Sequence, residues 1–271
     1  MLYAIDNLIA MTRTNVEHFK LTLGMARVDL AKRYSGSTLG IFWAVVRPVV
    51  FISVFWFAVA VGFRGGGVRE GVPVIFWLTP GIIAWFFVSE SITQAGSSIR
   101  RNSHLVTRLV FPVATIPTFT VLALFFAHLM VLAVIIIIFI ASGQGLTIYF
   151  LQLPYYVLCT LAFSIVAATF FSALTAVSKD VGHLIASLMT VLFWVTPIIW
   201  PLEPLGGTLK HAIMLNPITY LVQGYRNAFV FDHWFFEQWE YTLYFWGFML
   251  VFALLTSYLF AKLKDDFADI L

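Results

Sequence analysis

The chain has 271 residues, of which 61% are hydrophobic and 11% are charged, and its formal net charge is +3. Soluble domains carry about 25% charged residues, so a soluble fold with a polar surface is excluded. The small, scattered charge gives no indication of nucleic acid as a partner. The single cysteine, Cys159, excludes a disulfide framework and a cysteine metal site. The composition indicates an integral membrane protein.

Six apolar stretches are long enough to cross a membrane as helices. A hydrocarbon core of roughly 30 Å requires about 20 helical residues. The sequence therefore predicts an all-α integral membrane fold that forms a single domain over residues 1–271, with six spans between residues 41 and 262. The predicted spans are 41–62, 74–97, 116–141, 153–177, 183–202 and 239–262.

The positions of lysine and arginine predict which side each loop faces, because cytoplasmic loops carry an excess of both residues. Of the 16 lysines and arginines, one, Arg47, lies within a span. The larger group, predicted to be cytoplasmic, is Arg13, Lys20, Arg27, Lys32, Arg33, Arg100, Arg101, Arg108, Lys179, Lys262 and Lys264. The smaller group is Arg64, Arg69, Lys210 and Arg226. Both termini are therefore predicted to lie in the cytoplasm.

Residues 1–35 are predicted to form an amphipathic helix rather than a span. Apolar residues recur at helical steps on one face, and the basic residues fall mainly on the others. Such a helix is expected to lie in the cytoplasmic interface, near anionic headgroups. A simple membrane-surface anchor explains the pattern equally well. The apolar face consists of Val16, Phe19, Leu23, Ala26 and Leu30.

Segment 203–238 is apolar enough in part to suggest a seventh span. That crossing would place Lys262 and Lys264 on the side with few basic residues. The better interpretation is a pair of short helices, broken at Asn216-Pro217, that dip into the outer leaflet and return. We therefore predict an extracellular re-entrant helical hairpin between spans five and six, which must be buried in protein or line a cavity.

No motif for catalysis or nucleotide binding occurs in the sequence. It lacks the G-x-x-x-x-G-K-[ST] loop that would bind ATP, and also HExxH, GxSxG and any cluster of Cys and His ligands. His128, in the third span, is expected to make a hydrogen bond between packed helices. We predict no catalytic site, no metal site and no cofactor in this chain.

Five stretches in a fixed order resemble the membrane subunits of type-2 ABC exporters of cell-surface polysaccharides. Within this group, the sequence is most similar to the wall teichoic acid translocation permeases of Gram-positive bacteria. One departure is that those permeases tend to carry Asn-Pro where this chain has Arg47-Pro48. The stretches are YSGSTLGIFW at 34–43, GVPVIFWLTPGIIAW at 71–85, FWVTPIIW at 193–200, LNPITYLVQGYR at 215–226 and WFFEQWEYTLYFW at 234–246.

The resemblance implies a permease that pairs with a second copy of itself and with two copies of a separate P-loop ATPase. That ATPase would bind ATP and Mg, making the assembly an ATP-dependent translocase in the bacterial plasma membrane. The implied cargo is wall teichoic acid on undecaprenyl diphosphate, an anionic glycopolymer that moves outward. The alternatives are another lipid-linked polysaccharide such as O-antigen or capsule, a small molecule or lipid, or a membrane scaffold or enzyme without transport.

Two cytoplasmic loops are candidates for contact with the ATPase. The loop at 98–112 is the longest between spans, and its arginines and apolar residues would fit a cleft with acidic and apolar groups. The alternative is that its charge is only a topology signal. The short loop at 178–183 is a weaker second candidate. The candidate coupling residues are Arg100, Arg101, Leu105, Val106, Lys179 and Asp180.

Arg47 and Glu90 are the most informative pair, because an ionisable residue within a span suggests a functional site. At 1.5 Å per residue they lie about 9 Å and about 10 Å from the cytoplasmic ends of adjacent spans. Arg47 is expected to contact substrate phosphate, with Glu90 as its resting partner. The alternatives are a structural ion pair or an arginine that reaches the headgroups. Aromatic residues expected to line the path, since their faces stack on sugars, are Trp43, Phe51, Phe193 and Trp194.

Overall fold

The computed structural model describes residues 2–58, 68–69, 71–107, 111–143, 145, 147–202 and 204–270. These residues are almost entirely helical, with one short antiparallel ribbon. The first half contains α1 (Leu2–Glu17), α2 (Phe19–Tyr34), α3 (Trp43–Phe57), β1 (Val68–Arg69), β2 (Val72–Pro73), α4 (Val74–Glu90), α5 (Ser98–Arg101), α6 (Ser103–Thr107) and α7 (Thr115–Ala141). The second half contains α8 (Leu153–Val177), α9 (Asp180–Val195), α10 (Gly207–Met214), α11 (Pro217–Phe229), α12 (Trp239–Leu263) and α13 (Phe267–Ile270).

Within the described residues, five helical segments are long and apolar enough to cross a membrane. Short turns of 3-10 or π-helix extend α3, α4, α8 and α12 into these segments. The five segments agree with five of the six predicted spans, although residues 59–62 of the first predicted span lie outside the described residues. The segments are Gly40–Phe57, Val74–Ala95, Thr115–Ala141, Ile148–Val177 and Trp239–Asp266.

The predicted fifth span, 183–202, is helical only as far as Val195. Helix α9 has 16 residues, which extend about 24 Å, less than the roughly 30 Å of a hydrocarbon core. The helix ends because Thr196 precedes Pro197, which disfavours helical backbone, and Thr196 is extended with φ −74° and ψ 134°. Six full-length spans are therefore not present in the described part of the chain.

Segment 203–238 contains two short helices that are separated at the predicted break. The Asn216 side chain accepts a hydrogen bond from the backbone N–H of Ile218 at 3.0 Å, and Pro217 begins α11. Asn216 also donates to the Thr196 hydroxyl at 2.9 Å, which joins the break to the end of α9. That these helices form an extracellular re-entrant hairpin stays a prediction, and residue 203 lies outside the described residues.

The amino-terminal segment forms two helices, with a break at His18. Helix α2 packs against α7 through buried Thr22 and Ala26, whereas Val16 and Phe19 are 68% and 56% exposed. The predicted apolar face is therefore used only in its second half, because the break interrupts the periodicity. A location in the membrane interface stays a prediction.

The bundle has two chemically different ends. We call the end that carries α2, α5, α6 and Lys179 the basic end. The opposite end carries α10, α11 and the start of α12. There, the Gln152 side chain donates to the His233 carbonyl at 2.8 Å and accepts from the Phe235 N–H at 2.9 Å.

Candidate functional site

A cavity of about 190 Å³ lies at the basic end, between α2, α3, α4 and α7. Arg47 and Glu90 both line this cavity, as do Trp43 and His128. Its polar lining also includes residues that sequence analysis did not assign to the site. We call it the arginine cavity, after its defining residues Arg33, Tyr34, Arg47, Glu90 and Gln94.

The expected ion pair between Arg47 and Glu90 is not formed. Among the described residues, the ion pairs within 4.0 Å are Arg13–Glu17, Arg33–Asp29 and His233–Glu237. Glu90 is instead acted on by the positive charges of two arginines, Arg33 and Arg47, at longer range. Arg33 comes from α2 and not from a span, so comparing the depths of residues within adjacent spans could not predict its place near Glu90. The cavity lining therefore carries two arginines and one carboxylate, and one of these arginines, Arg33, is already paired with the carboxylate of Asp29 behind it.

Arg33 is held in a defined orientation. Its Nη2 and Nε both donate to Oδ2 of Asp29, at 2.7 and 2.9 Å, and its Nη1 donates to the Gln94 side chain. Gln94 lies in the π-helical turn Ser91–Ala95, a distortion that is frequent at functional sites. The i,i+4 spacing of Asp29 and Arg33 is the signal in the sequence that could have indicated this pair.

Tyr34 adds a neutral donor to the arginine cavity. Burial raises the pKa of its hydroxyl, and the Glu90 charge raises that pKa further, while Arg33 and Arg47 act in the opposite direction. The hydroxyl therefore keeps its proton at physiological pH and can donate a hydrogen bond to an anion.

His128 lines the same cavity and makes the expected bond between helices. Its Nε2 lies 2.8 Å from the Tyr225 hydroxyl, and its ring stacks on Phe87 with centroids 4.8 Å apart. The side chain is buried. His128 therefore joins α7 to α11 and α4, as a packing residue.

The four aromatic residues proposed for the path lie in two places. Trp43 lines the arginine cavity and is 37% exposed. Phe51 and Phe193 belong to a cluster between α3 and α9, with ring centroids 6.2 Å apart and Phe55 between them. Trp194 packs on Phe193 at 5.5 Å and is 59% exposed. The structure thus joins three of these residues and leaves Trp43 beside the charges.

The candidate coupling residues differ in what they expose. Arg100 Nη1 donates to the Thr175 and Ala176 carbonyls at 3.1 and 3.4 Å, so it caps the end of α8. Leu105 is buried and Val106 is half-buried in the chain's own core, so neither offers a free apolar surface. Residues 108–110 of this loop lie outside the described residues.

The outward-facing candidates are Arg101, Lys179 and Asp180, all of which are exposed at the basic end. Arg101 Nη1 also donates to the Gln94 carbonyl at 3.1 Å. This bond links the α5 segment to the π-helical turn beside the arginine cavity. Coupling to an ATPase through these residues stays a prediction.

Arg226, which the distribution of basic residues places in a loop, is fully buried. Its Nη1 donates to the Pro197 carbonyl at 2.7 Å, its Nη2 to Ile198, and its Nε to Trp77 at 3.3 Å. The guanidinium also lies 3.7 Å from the centroid of the Trp77 ring. Arg226 thus satisfies carbonyls of the irregular chain after α9, which a lipid environment requires.

Comparison with known families agrees with a transport role for this fold. Residues 21–230 match the family described as ABC-2 type transporter. The chain therefore belongs to the ABC-2 type transporter membrane family, and it is a multi-pass membrane protein. Members of this family work with an ATPase partner.

Several relatives are similar over most of their length. The chain is 25% identical over 229 residues to the O-antigen export system permease protein RfbA of Myxococcus xanthus, covering 83% of this chain and 86% of that protein. It is also 25% identical over 256 residues to two proteins of the same name from Klebsiella pneumoniae, covering 93% of this chain and 95% of each of them.

Proposed function

We propose that this chain is the permease of an ATP-driven exporter that moves a lipid-linked polysaccharide of the O-antigen kind across the bacterial plasma membrane. The observation that carries this proposal is the arginine cavity at the basic end. The similarity to O-antigen export permeases supports the choice of cargo. It favours the alternative cargo drawn from the sequence over wall teichoic acid.

The chemistry of the arginine cavity suits a diphosphate headgroup. Arginine presents a planar fork of N–H donors that matches phosphate oxygens. Arg47 would supply such a fork. Arg33 would add the N–H groups of Nη1 and Nη2 that Gln94 and Asp29 leave unused, and Tyr34 would supply a neutral donor. Glu90 would neutralise part of this charge while the cavity is empty and give way when phosphate enters.

The distribution of basic residues supports a cytoplasmic basic end and cytoplasmic termini. The cargo would then enter at the arginine cavity and leave at the end formed by α10 and α11. Residues on α3 and α9, including Phe51 and Phe193, would offer aromatic faces to the moving polymer.

The working assembly in this proposal contains a second copy of this chain and two copies of the ATPase, which would bind ATP and Mg. Only 11% of the first membrane segment, Gly40–Phe57, is buried, against 72% of the second, which leaves α3 free to meet a second copy. Arg101, Lys179 and Asp180 would contact the ATPase.

The decisive test replaces Arg47 with glutamine. Losing a charge-assisted hydrogen bond costs about 1.5–3 kcal/mol, which corresponds to roughly ten- to hundred-fold weaker cargo binding. We expect Arg47→Gln to lower export of lipid-linked polysaccharide and to weaken the stimulation of ATP hydrolysis by cargo in proteoliposomes. The matched control is Arg13→Gln, because the Arg13 side chain is 76% exposed on α1. Full export and unchanged cargo affinity in Arg47→Gln would refute the arginine cavity as the headgroup site.

Wall teichoic acid remains the second candidate because five stretches of the sequence resemble its permeases. Complementation separates the two cargoes. The chain and its ATPase should restore export in a strain that lacks its O-antigen permease. Restoration only in a strain that lacks its teichoic acid permease would favour the second candidate.

A further inference from the structure

A second, larger cavity of about 990 Å³ lies at the opposite end, between α10, α11 and the start of α12. Its volume is at the upper limit of the roughly 300–1,000 Å³ typical of small-molecule sites. We call it the aromatic cavity, and its defining residues are Gln223, Asn227, Trp239, Tyr241 and Tyr244. None of these residues has a part in the headgroup site.

The aromatic cavity combines ring faces with groups that both donate and accept hydrogen bonds. Trp239 is 58% exposed at the cavity. The half-buried carboxamide of Gln223 offers an acceptor oxygen and two N–H donors. Asn227 is buried and shares its carboxamide with Tyr156. Among the described residues, the buried hydroxyl of Tyr241 has no hydrogen-bond partner. Flat apolar faces beside paired donors and acceptors match a sugar ring, which has C–H faces and hydroxyl edges.

The charge of the aromatic cavity is opposite to that of the arginine cavity. Its described lining contains the carboxylates of Glu237 and Glu240 against one ammonium, that of Lys210, with His211 and His233 beside them. The two carboxylates outnumber the one ammonium, so the acidic and lysine side chains of the lining sum to a negative charge. A phosphate-rich polymer would be repelled here, whereas an uncharged glycan would not.

The wall around this cavity is held in place by a hydrogen-bonded network. The Tyr155 hydroxyl lies 2.9 Å from that of Tyr220 and accepts from Trp246 Nε1 at 3.0 Å. Thr242 lies 3.1 Å from the Tyr220 hydroxyl and donates to the Phe235 carbonyl at 2.9 Å. Because these bonds fix the start of α12 against α8 and α11, the lining is organised before any ligand arrives, which lowers the entropy cost of binding.

We propose that the aromatic cavity binds an uncharged, hydroxyl-rich sugar segment of the exported polymer, and that its carboxylates disfavour polymers built on phosphate. This inference rests on the proposed function, since it assigns the sugar part of the same cargo. Carboxamides and carboxylates would hold the hydroxyl edges, and Trp239 would stack on a ring face.

The test measures binding of short, lipid-free sugars to the purified permease–ATPase complex in nanodiscs, without ATP. The probes are mannotriose, galactotriose and maltotriose, with a glycerol phosphate trimer as the anionic comparison. Saturation-transfer NMR detects weak binding and requires no transport. We expect at least one neutral trisaccharide to bind, and to bind more tightly than the phosphate trimer. Failure of all three neutral sugars, or preference for the phosphate trimer, would overturn the proposal.

Substitution of Trp239 tests whether the trisaccharide binds in the aromatic cavity. Trp239→Leu removes the exposed ring and should weaken trisaccharide binding about three- to ten-fold, the scale of an aromatic contact. The matched control is Tyr258→Leu, because Tyr258 is 45% exposed on α12, the helix that also carries Trp239, and lies outside both cavities. Equal losses in the two variants would overturn the assignment.

Arg47→Gln separates this inference from the proposed function. It should leave trisaccharide binding unchanged even where it abolishes export. Loss of trisaccharide binding in Arg47→Gln would place the sugar in the arginine cavity and overturn the inference. Normal export by Arg47→Gln together with normal sugar binding would instead refute only the headgroup site.

Discussion

The arginine cavity and the aromatic cavity differ in size, charge and construction. The first has about 190 Å³ and two arginines beside one carboxylate, and the second has about 990 Å³ and two carboxylates beside one lysine. A lipid-linked polysaccharide has two corresponding parts, an anionic diphosphate and a hydroxyl-rich chain. Under the proposals above, the permease would hold the two parts of its cargo by separate physical means: charge at one end, and ring stacking with hydrogen bonds at the other.

The two cavities also depend on the fold in different ways. The arginine cavity draws its charged residues from α2, α3 and α4, so it exists only when these helices are packed. The aromatic cavity is built from neighbouring elements of one continuous stretch, Leu202 to Tyr244. Substitutions that affect one cavity, or the helix packing that supports both cavities, can therefore test whether the two cavities act separately.

The largest effect is expected for Arg226→Met, which affects the packing of the helices that support both cavities. Removing this guanidinium leaves the Pro197, Ile198 and Trp77 carbonyls without their donor. Removing one partner from a buried charged network costs about 3–5 kcal/mol. We expect a large fall in the midpoint of thermal unfolding in detergent and loss of both cavities' functions. Arg13→Met is the control, and a midpoint equal to that of wild type would contradict the role of Arg226 as a tie between α4, α9 and α11.

An intermediate effect is expected for Gly224→Ala, which acts on the aromatic cavity through α11. A Cβ at this position would lie 2.1 Å from two ring carbons of Tyr156. Overpacking of this kind costs about 1–3 kcal/mol, and it should shift Gln223 and Asn227. We expect lower thermal stability and weaker trisaccharide binding.

Gly247→Ala is the matched control for this change. Gly247 lies within α12, and a Cβ there meets no atom within 4 Å. It should be neutral or slightly stabilising, since alanine is favoured over glycine in helices. If the Gly224→Ala and Gly247→Ala proteins had equal thermal stability, the tight contact between α11 and Tyr156 would be refuted.

The smallest effect is expected for Asp29→Asn, which acts on the arginine cavity alone. Arg33 would lose the carboxylate that orients it, and this largely buried pair is 2.7 Å long. Asp29 accepts from both Nη2 and Nε of Arg33, and weakening these charge-assisted bonds by about 1.5 kcal/mol corresponds to roughly ten-fold. We expect cargo to stimulate ATP hydrolysis with a correspondingly higher half-maximal concentration, while mannotriose binding is unchanged. Asp6→Asn, exposed on α1, is the control. Unchanged cargo affinity would mean that Arg33 does not need Asp29.

Local sequence signals determined much of this architecture. Apolar runs with few charged residues predicted the five segments that can cross a membrane, because a charge or an irregular backbone within lipid is costly. Asn216-Pro217 predicted the break before α11, because asparagine caps a helix and proline begins one. Thr196-Pro197 also predicts that α9 ends early, because the residue before a proline disfavours helical backbone. The apolar residues that follow Pro197 led to the longer predicted span.

Only the tertiary structure decided which arginines matter and what they do. Arg33 reaches Gln94 across 61 residues, and Arg226 reaches Trp77 across 149 residues. Hydropathy and spacing report the face on which a residue lies within its own helix, and they do not report which carbonyl or carboxylate a distant helix brings beside it. Arg47 and Glu90 line one cavity as expected, but they form no ion pair within 4.0 Å, and α2 adds Arg33 as a second cation near the same carboxylate, which the sequence did not indicate. The role of this pair in binding cargo stays a prediction.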